Sequence, residues 1–349
     1  MSLWSEIHEQ AAVLEGLLRT QAGHAAEIAA AIAARQPAWA LVAARGSSDN
    51  AGLYAQYLWG ARNGLAVALA TPSLFTHYAR PPRLAGALVV GISQSGQSPD
   101  IVGVLAEARR QGSPTLAITN DPGSRLAAAA DWVLPTGAGE ERAIAATKTY
   151  TSQLLAVALL SASLPGGEAS GEDDREALAG VPRAVAATLQ LEEAVAAAAP
   201  RYAPMRQCVV LGRGFHYATA CEWALKLEEL TYIVAEPWSA ADFRHGPVAM
   251  AAPGFPVLAV VPGGAVHADV VALLRTLVEE RDVDLVALSD EEETLALART
   301  PLRLPGGLPE WLTPIPAIVA AQLFSYHLAR AMGRDTEAPR GLSKVTRTW

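Results

Sequence analysis

The sequence predicts an α/β protein built from two tandem copies of one domain, each a parallel sheet flanked by helices in a flavodoxin-like three-layer sandwich. Three observations predict it. The chain has 349 residues, a length that favours two domains over one. Apolar runs of strand length alternate with helical patterns, as in parallel sheets covered on both faces. Segments also return at a nearly constant interval. "VAARGSSDNA" around Arg45-Gly46 comes back as "VVLGRGFHYA" around Arg213-Gly214, 168 residues on. "ALVVGIS" ending at Ser93 and "VLAVVPG" ending at Gly263 lie 170 apart. The same 170 separates Ala117 from Ala287 and Pro135 from Pro305, and Gln153-Leu154 precedes Gln322-Leu323 by 169. One such match is chance; five in order indicate duplication.

The elements follow in turn. Residues 1–35 carry Glu6, His8, Glu9, Glu15, Arg19 and Glu27 among Ala and Leu, an amphipathic helix. A buried strand (Ala38–Ala44), a Gly turn and a helix come next. The strand "ALVVGI", a helix from Pro99 or Asp100, a third strand, a short fourth strand and a long helix complete the first copy. The stretch Leu164 to Asp174, rich in turn formers and charge, reads as the joint. The second copy repeats the order from a strand at Cys208–Leu211. We therefore expect a first domain over 1–165, a second over 172–338, and a tail over 339–349 that closes over the active site.

Composition narrows the function. Hydrophobic residues are 51% and charged residues 18%, enough apolar material for two cores and no mark of disorder. The net charge of −8 opposes an anionic substrate, so local donors must hold one. No Lys/Arg run forms a basic stripe, which argues against nucleic acid. The two cysteines, Cys208 and Cys221, have no metal-ligand spacing, and no metal is expected. Few thiols and no cleavable signal point to a reducing, cytoplasmic setting. No stretch reads as long and apolar enough to span a bilayer, so no membrane partner is expected.

Two turns of the first copy suit a phosphate. "RGSSDNAG", Arg45 to Gly52, and "SQSGQS", Ser93 to Ser98, each follow a strand and open a helix. Unpaired N–H groups and the positive dipole end favour an anion there. Ser47, Ser48, Ser93, Gln94, Ser95 and Ser98 add donors without adding charge. One such turn would be explained by helix capping; two, on successive strands and with surplus hydroxyls, point to a phosphate. The matching turns "RGFHYA" and "PGGAVH" lack that density, so one phosphate site per chain is expected. No Gly-Lys-Ser/Thr is present, and "GRGFHYA" has Tyr217 where a dinucleotide fingerprint needs its third glycine. Neither a nucleotide cofactor nor hydride chemistry is expected.

The titratable residues gather in the second copy. In "CEWALKLEEL", Glu222, Lys226 and Glu229 share one helical face, while Glu228 points elsewhere into solvent. A surface ion-pair ladder would use the same spacing, but Trp223, Ala224, Leu225 and Leu227 pack the helix closely, leaving a polar face to line a cleft. "EPWSAADFRHGPVAM", Glu236 to Met250, reads as a loop in which His245 sits between Arg244 and a Gly-Pro turn. The tail "APRGLSKVTRTW" carries Arg340 and Lys344, either frayed or folded over an anion.

Taken together, "RGSSDNAG", "ISQSGQSPDI", "AGEERAIAATKTY", "LGRGFHYATACEWALKLEEL", "FRHGPVAM" and "PRGLSKVT" resemble the tandem sugar isomerase (SIS) domain family. The chain is similar to the isomerase half of glucosamine–fructose-6-phosphate aminotransferases and closer still to the sugar-isomerase type of glucosamine-6-phosphate deaminases. The resemblance implies that Ser47, Ser48, Ser93, Gln94, Ser95 and Ser98 bind phosphate. It implies that Glu229 moves a proton between C1 and C2 and that His245 assists ring opening. Lys226 would support the oxyanion or position Glu229, and Lys344 matches a lysine able to form a Schiff base with a keto sugar. It also implies a homodimer in which His245 reaches the neighbour's site. The chemistry agrees: isomerisation needs one carboxylate over two carbons, a cation for the oxyanion and an anchored phosphate.

Departures matter too. The chain opens Met1-Ser2 and its first cysteine is Cys208, so no glutamine-hydrolysing domain with an N-terminal cysteine is expected. Ala146 stands where the aminotransferase pattern has Ser, and Gln97 where it has Glu. The leading expectation is conversion of glucosamine 6-phosphate to fructose 6-phosphate and ammonia. A fructosamine-6-phosphate deglycase, a glutaminase-lacking aminotransferase homologue and a non-catalytic sugar-phosphate sensor are the alternatives.

Overall fold

A computed structural model describes residues 2–165 and 171–344. In chain order, α1 (Leu3–His8) and α2 (Gln10–Arg35) precede β1 (Trp39–Ala43), α3 (Ser47–Asn63), β2 (Ala66–Leu69) and α4 (Ser73–Thr76). Then come β3 (Ala87–Ser93), α5 (Pro99–Arg110), β4 (Thr115–Thr119), α6 (Arg125–Ala128), β5 (Trp132–Pro135) and α7 (Lys148–Ser163). The helices α8 (Gly171–Leu189) and α9 (Glu192–Ala198) lead to β6 (Gln207–Gly212), α10 (Phe215–Thr231), β7 (Val234–Ser239) and α11 (Ala240–Phe243). Last are β8 (Pro256–Val260), α12 (His267–Glu279), β9 (Asp284–Ser289), α13 (Glu292–Leu297), β10 (Thr300–Arg303) and α14 (Pro314–Ala331).

The chain divides into two compact units. One holds the first sheet: residues 12–141 and 148–179, joined by Ser343 and Lys344 from the far end of the chain. The other holds the second sheet: residues 2–11, 142–147 and 180–342. Each sheet is five-stranded and wholly parallel, in the orders β2-β1-β3-β4-β5 and β10-β9-β8-β6-β7. Read from the second strand of each copy, both have the order 2-1-3-4-5, the flavodoxin-like arrangement in which ligands meet the carboxyl ends of the strands. The predicted three-layer α/β class with two copies is what the chain forms.

Why these segments become strands is plain at the sheet centres. Every residue of β3 is buried, so its continuous Ala-Leu-Val-Val-Gly-Ile run is packed on both faces, with Leu84, Ile101, Val104 and Leu105 among its surroundings. The second sheet buries Val257, Ala259, Leu285 and Ala287 against Val270, Leu274 and Leu277 of α12. Trp223 of α10 meets Phe324 of α14 edge-on at 5.6 Å, an aromatic contact in the geometry such pairs prefer.

Two strands escape the sequence reading. The edge strand β2 is apolar, Ala-Val-Ala-Leu, but only four residues long, and it alternates exposed and half-buried residues. The strand β7 contains Pro237, tolerated because β7 pairs on one side only and lies at the sheet edge. The segment from Glu236 to Met250 is therefore not simply a loop: it is the end of β7, the short α11 and a 3-10 turn at Pro247–Met250. The N-terminal stretch is two helices rather than one, and Glu6 is not on a polar face. It is fully buried and accepts from the backbone N–H of Arg142 and Ala143 at 2.6 and 3.1 Å. Part of the expected joint, 166–170, lies outside the described residues. Contrary to the expectation that no stretch is long and apolar enough to span a bilayer, Glu310–Ala331 is, with a mean hydropathy of 1.2. Its burial, 94% of the window, identifies the stretch as a core element of its own unit.

Candidate active site

The serine-bearing turns belong to the unit of the first sheet. Gly46 precedes α3 with φ 55° and ψ −133°, and no side chain caps the helix. Gly214 precedes α10 with φ 60° and ψ −132°, again uncapped, so the duplicated turn keeps its backbone although its side chains differ. Each turn is tied by an ion pair to the first turn of the helix following the third strand of its sheet. Arg45 Nε donates to the fully buried Asp100 of α5 at 2.9 Å, and Arg213 pairs with Asp269 of α12. Arg244 also donates to Asp269, at 2.8 Å, and this bond is the largest of the influences that hold the Asp269 carboxyl below its usual range.

Ser47 is half-buried and opens α3, while Ser48 is buried and its Oγ accepts from Gln153 Nε2 of α7 at 3.0 Å. Burial pushes the neighbouring Asp49 carboxyl up, against the pull of Arg45. In the second turn, Ser93 Oγ accepts from Gly96 N at 3.1 Å and Ser95 Oγ from Gln97 N at 3.3 Å. These two hydroxyls shape the turn. Gln94 is fixed through its carbonyl, which accepts from Asn120 N at 3.2 Å. Ser98 is the N-cap residue of α5, yet its side chain makes no capping bond. Two helix starts, α3 and α5, thus lack side-chain caps and carry hydroxyls beside them, a donor set for an oxyanion.

Gly96 makes this turn possible. Its φ is +61°, and a Cβ there would fall 2.1 Å from Ser124 Oγ. The residue behind the turn, Ser124, caps α6 by accepting from Ala127 N, so it is not free to retreat. Gly96→Ala is expected to destabilise the protein by about 2–5 kcal/mol, the sum of left-handed strain and overpacking. Gly137→Ala, at φ +60° with no atom within 4 Å of its Cβ, should cost only the first of these terms. Urea unfolding of both variants checks this; equal losses would show that Ser124 yields.

The titratable face lies on α10, in the other unit. Lys226 is 1% exposed and Glu222 fully buried, so the pattern is not a surface ladder. Lys226 Nζ lies 3.4 Å from Glu222 Oε1 and donates to Glu229. Glu229 keeps 22% of its side chain accessible, whereas Glu228 is exposed, as its place on the helix predicts. The buried ammonium is therefore flanked by two carboxylates, of which only Glu229 reaches solvent. Such a group can take a proton while its neighbour holds positive charge beside it. Sequence reasoning placed Glu222 on this face but gave it no role; its complete burial is the added information.

His245 lies in the turn between α11 and the 3-10 segment, its backbone N–H donating to Asp242 O at 2.9 Å. Its imidazole is exposed and has no hydrogen-bond partner among the described residues. The tail is not frayed up to Lys344. Arg334 and Arg340 stand over the ring of Tyr232 at 5.0 and 4.9 Å, and Arg340 N donates to Tyr232 OH at 2.7 Å. Lys344 Nζ donates to Glu141 at 2.6 Å, in the unit of the first sheet. Residues 345–349 lie outside the described residues.

Comparison with known proteins adds identity to this geometry. Residues 36–163 and 202–332 match the SIS domain. The chain is similar to a glutamine–fructose-6-phosphate aminotransferase (isomerizing) of Gloeobacter violaceus, 34% identical over 97% of this chain and 57% of that protein. The chain spans about half the length of such relatives. Among solved structures, the C-terminal domain of glucosamine-fructose-6-phosphate aminotransferase from Francisella tularensis is 25% identical, with a TM-score of 0.84 over 97% of this chain and 98% of that one. A glucosamine-6-phosphate deaminase of Thermotoga maritima has the same fold, with a TM-score of 0.80 at 20% identity over the whole of both chains.

Proposed function

The chain belongs to the SIS domain family, in two tandem copies, and from that premise we propose that it is a phosphosugar isomerase acting on an amino-sugar 6-phosphate. The observation that carries the reading is the α10 face, a buried Lys226 between a sealed Glu222 and an accessible Glu229. An ion pair kept only for stability gains little from burial; a carboxylate with one open side beside a fixed cation suits proton transfer next to a carbonyl.

In this reading Ser47, Ser48, Ser93, Gln94, Ser95 and Ser98 bind the phosphate with neutral donors. His245, presented on an exposed turn, assists ring opening, and in a homodimer it serves the neighbouring subunit. Glu229 removes the proton at C2 of the open-chain aldose and returns it at C1, while Lys226 stabilises the oxygen charge. For glucosamine 6-phosphate the product is a 2-imino sugar. Exchange of its nitrogen through Lys344, followed by addition of water, releases ammonia and leaves fructose 6-phosphate.

A second reading is favoured by the relatives of about twice this length: the same isomerase chemistry run towards the amino sugar, with ammonia supplied from elsewhere. Purified protein incubated with glucosamine 6-phosphate should release ammonia and fructose 6-phosphate in equal amounts. Fructose 6-phosphate with ammonium salt tests the reverse, and fructosamine 6-phosphates test a deglycase. If sugar phosphates raise the melting temperature but are all recovered unchanged, the isomerase reading fails and a sensor remains.

A further inference from the structure

Glu141 lies between β5 and α7, and its side chain is wholly out of water. A buried carboxylate is stable only when its oxygens are satisfied. Two of the bonds come from one residue at the start of α7: Thr149 N donates to Oε1 at 3.1 Å and Thr149 Oγ1 to Oε2 at 2.7 Å. The positive end of a 16-residue helix adds to them. A third comes from Lys344 Nζ, which reaches Oε2 at 2.6 Å from 203 residues further along the chain. The lysine side chain remains 24% accessible. The carboxylate is thus held by the start of the helix it precedes, and it also accepts from an ammonium that keeps one side open.

We propose that Glu141 is the seat of Lys344: it fixes the ammonium in place and accepts the proton that must leave before the amine can attack a sugar carbonyl. The proposal rests on the reading of Lys344 as a Schiff-base amine. The step balances. A proton passes from Lys344 Nζ to Glu141 Oε2, and the freed electron pair of Nζ forms the bond to C2 of the open-chain ketose. The carbonyl oxygen takes one proton from the added nitrogen and a second that Glu141 returns, and departs as water. An iminium remains beside an ionised Glu141. No oxidant or further reactant is required. Among the residues described here, Thr149 is the positioning residue of the set, since it acts only through Glu141.

Two measurements on the full-length protein test this. In the absence of sugar, acetic anhydride labelling followed by peptide mass spectrometry gives the modification rate of Lys344. Glu141→Gln should raise that rate about tenfold or more, the equivalent of one charge-assisted hydrogen bond. Thr149→Val should raise it less, and Glu141→Asp should restore part of the protection. An unchanged rate in a Glu141→Gln protein that melts cooperatively would overturn the seat. In the presence of fructose 6-phosphate, borohydride should trap the sugar on Lys344 in the natural protein. Trapping should be at least about tenfold slower in Glu141→Gln, with the half-saturating sugar concentration little changed. Equal trapping rates would overturn the proton-accepting part. Failure to trap sugar in the natural protein would instead refute the Schiff-base reading, while the labelling result still decides the seat.

Discussion

Replacing Glu229 with Gln is expected to lower kcat for the proposed sugar-phosphate reaction by ~10²–10⁴-fold, the range lost when a positioned acid–base group is removed. The amide has the shape of the carboxylate and can still accept from Lys226, so the α10 face stays filled. What it cannot do is take a proton from C2. The serine turns, in the unit of the first sheet, are untouched, and KM should move by less than about threefold. Steady-state assays of ketose and ammonia formation give both constants. A kcat within threefold of the natural protein would remove Glu229 from the reaction and leave the α10 cluster without a catalytic role.

Replacing Lys226 with Met is expected to cost stability as well as activity. Its Nζ is the cation facing Glu222, whose side chain is 0% exposed against 1% for the lysine. Removing one partner of such a pair takes the facing cation away from a buried charge, a loss of about 3–5 kcal/mol. The double variant Glu222→Gln with Lys226→Met removes the charges together and should recover most of that loss, because neutral groups of similar size fill the same space. Urea unfolding of the singles and the double completes the cycle. If the double variant is no more stable than Lys226→Met alone, the pair contributes through packing and not through charge.

The sequence carried the architecture because duplication writes it twice. Arg45 and Arg213, and Ala117 and Ala287, mark equivalent points of the two sheets, whereas the strand register sets Ser93 against Val261, two residues before Gly263, and the parallel cores are legible as uninterrupted apolar runs. The edge strands β2 and β7 escape that reading, since β2 is only four residues long and β7 holds a proline. Of the candidate site, the grouping of Glu222, Lys226 and Glu229 follows from helical periodicity. How deeply they are buried does not, because that depends on what packs over the helix. The partnership of Glu141 with Lys344 is beyond any local pattern: 203 residues separate them. Tyr232 illustrates the same limit. It ends α10 in the left-handed conformation, φ 62°, where Gly64 ends α3 at the same φ, and only the stacked arginines suggest why a bulky residue is kept there.

The turn after β8 has a consequence for how the two copies divide their work. It stands where the first copy has Ser93, Gln94 and Ser95, but Gly263 N donates to Asp290 at 2.9 Å and Ala265 N to Glu310 at 2.9 Å. A Cβ on Gly264 would collide with the Glu310 carboxyl group at 2.2 Å, so that acid lies directly on the backbone. The peptide groups that would greet a visiting anion are already engaged by resident ones. In the first copy the peptide groups of Gly96 and Gln97 are held instead by the neutral hydroxyls of Ser93 and Ser95, so the twin turns would treat an arriving anion differently: one opposes it with like charge, the other offers uncharged alcohol.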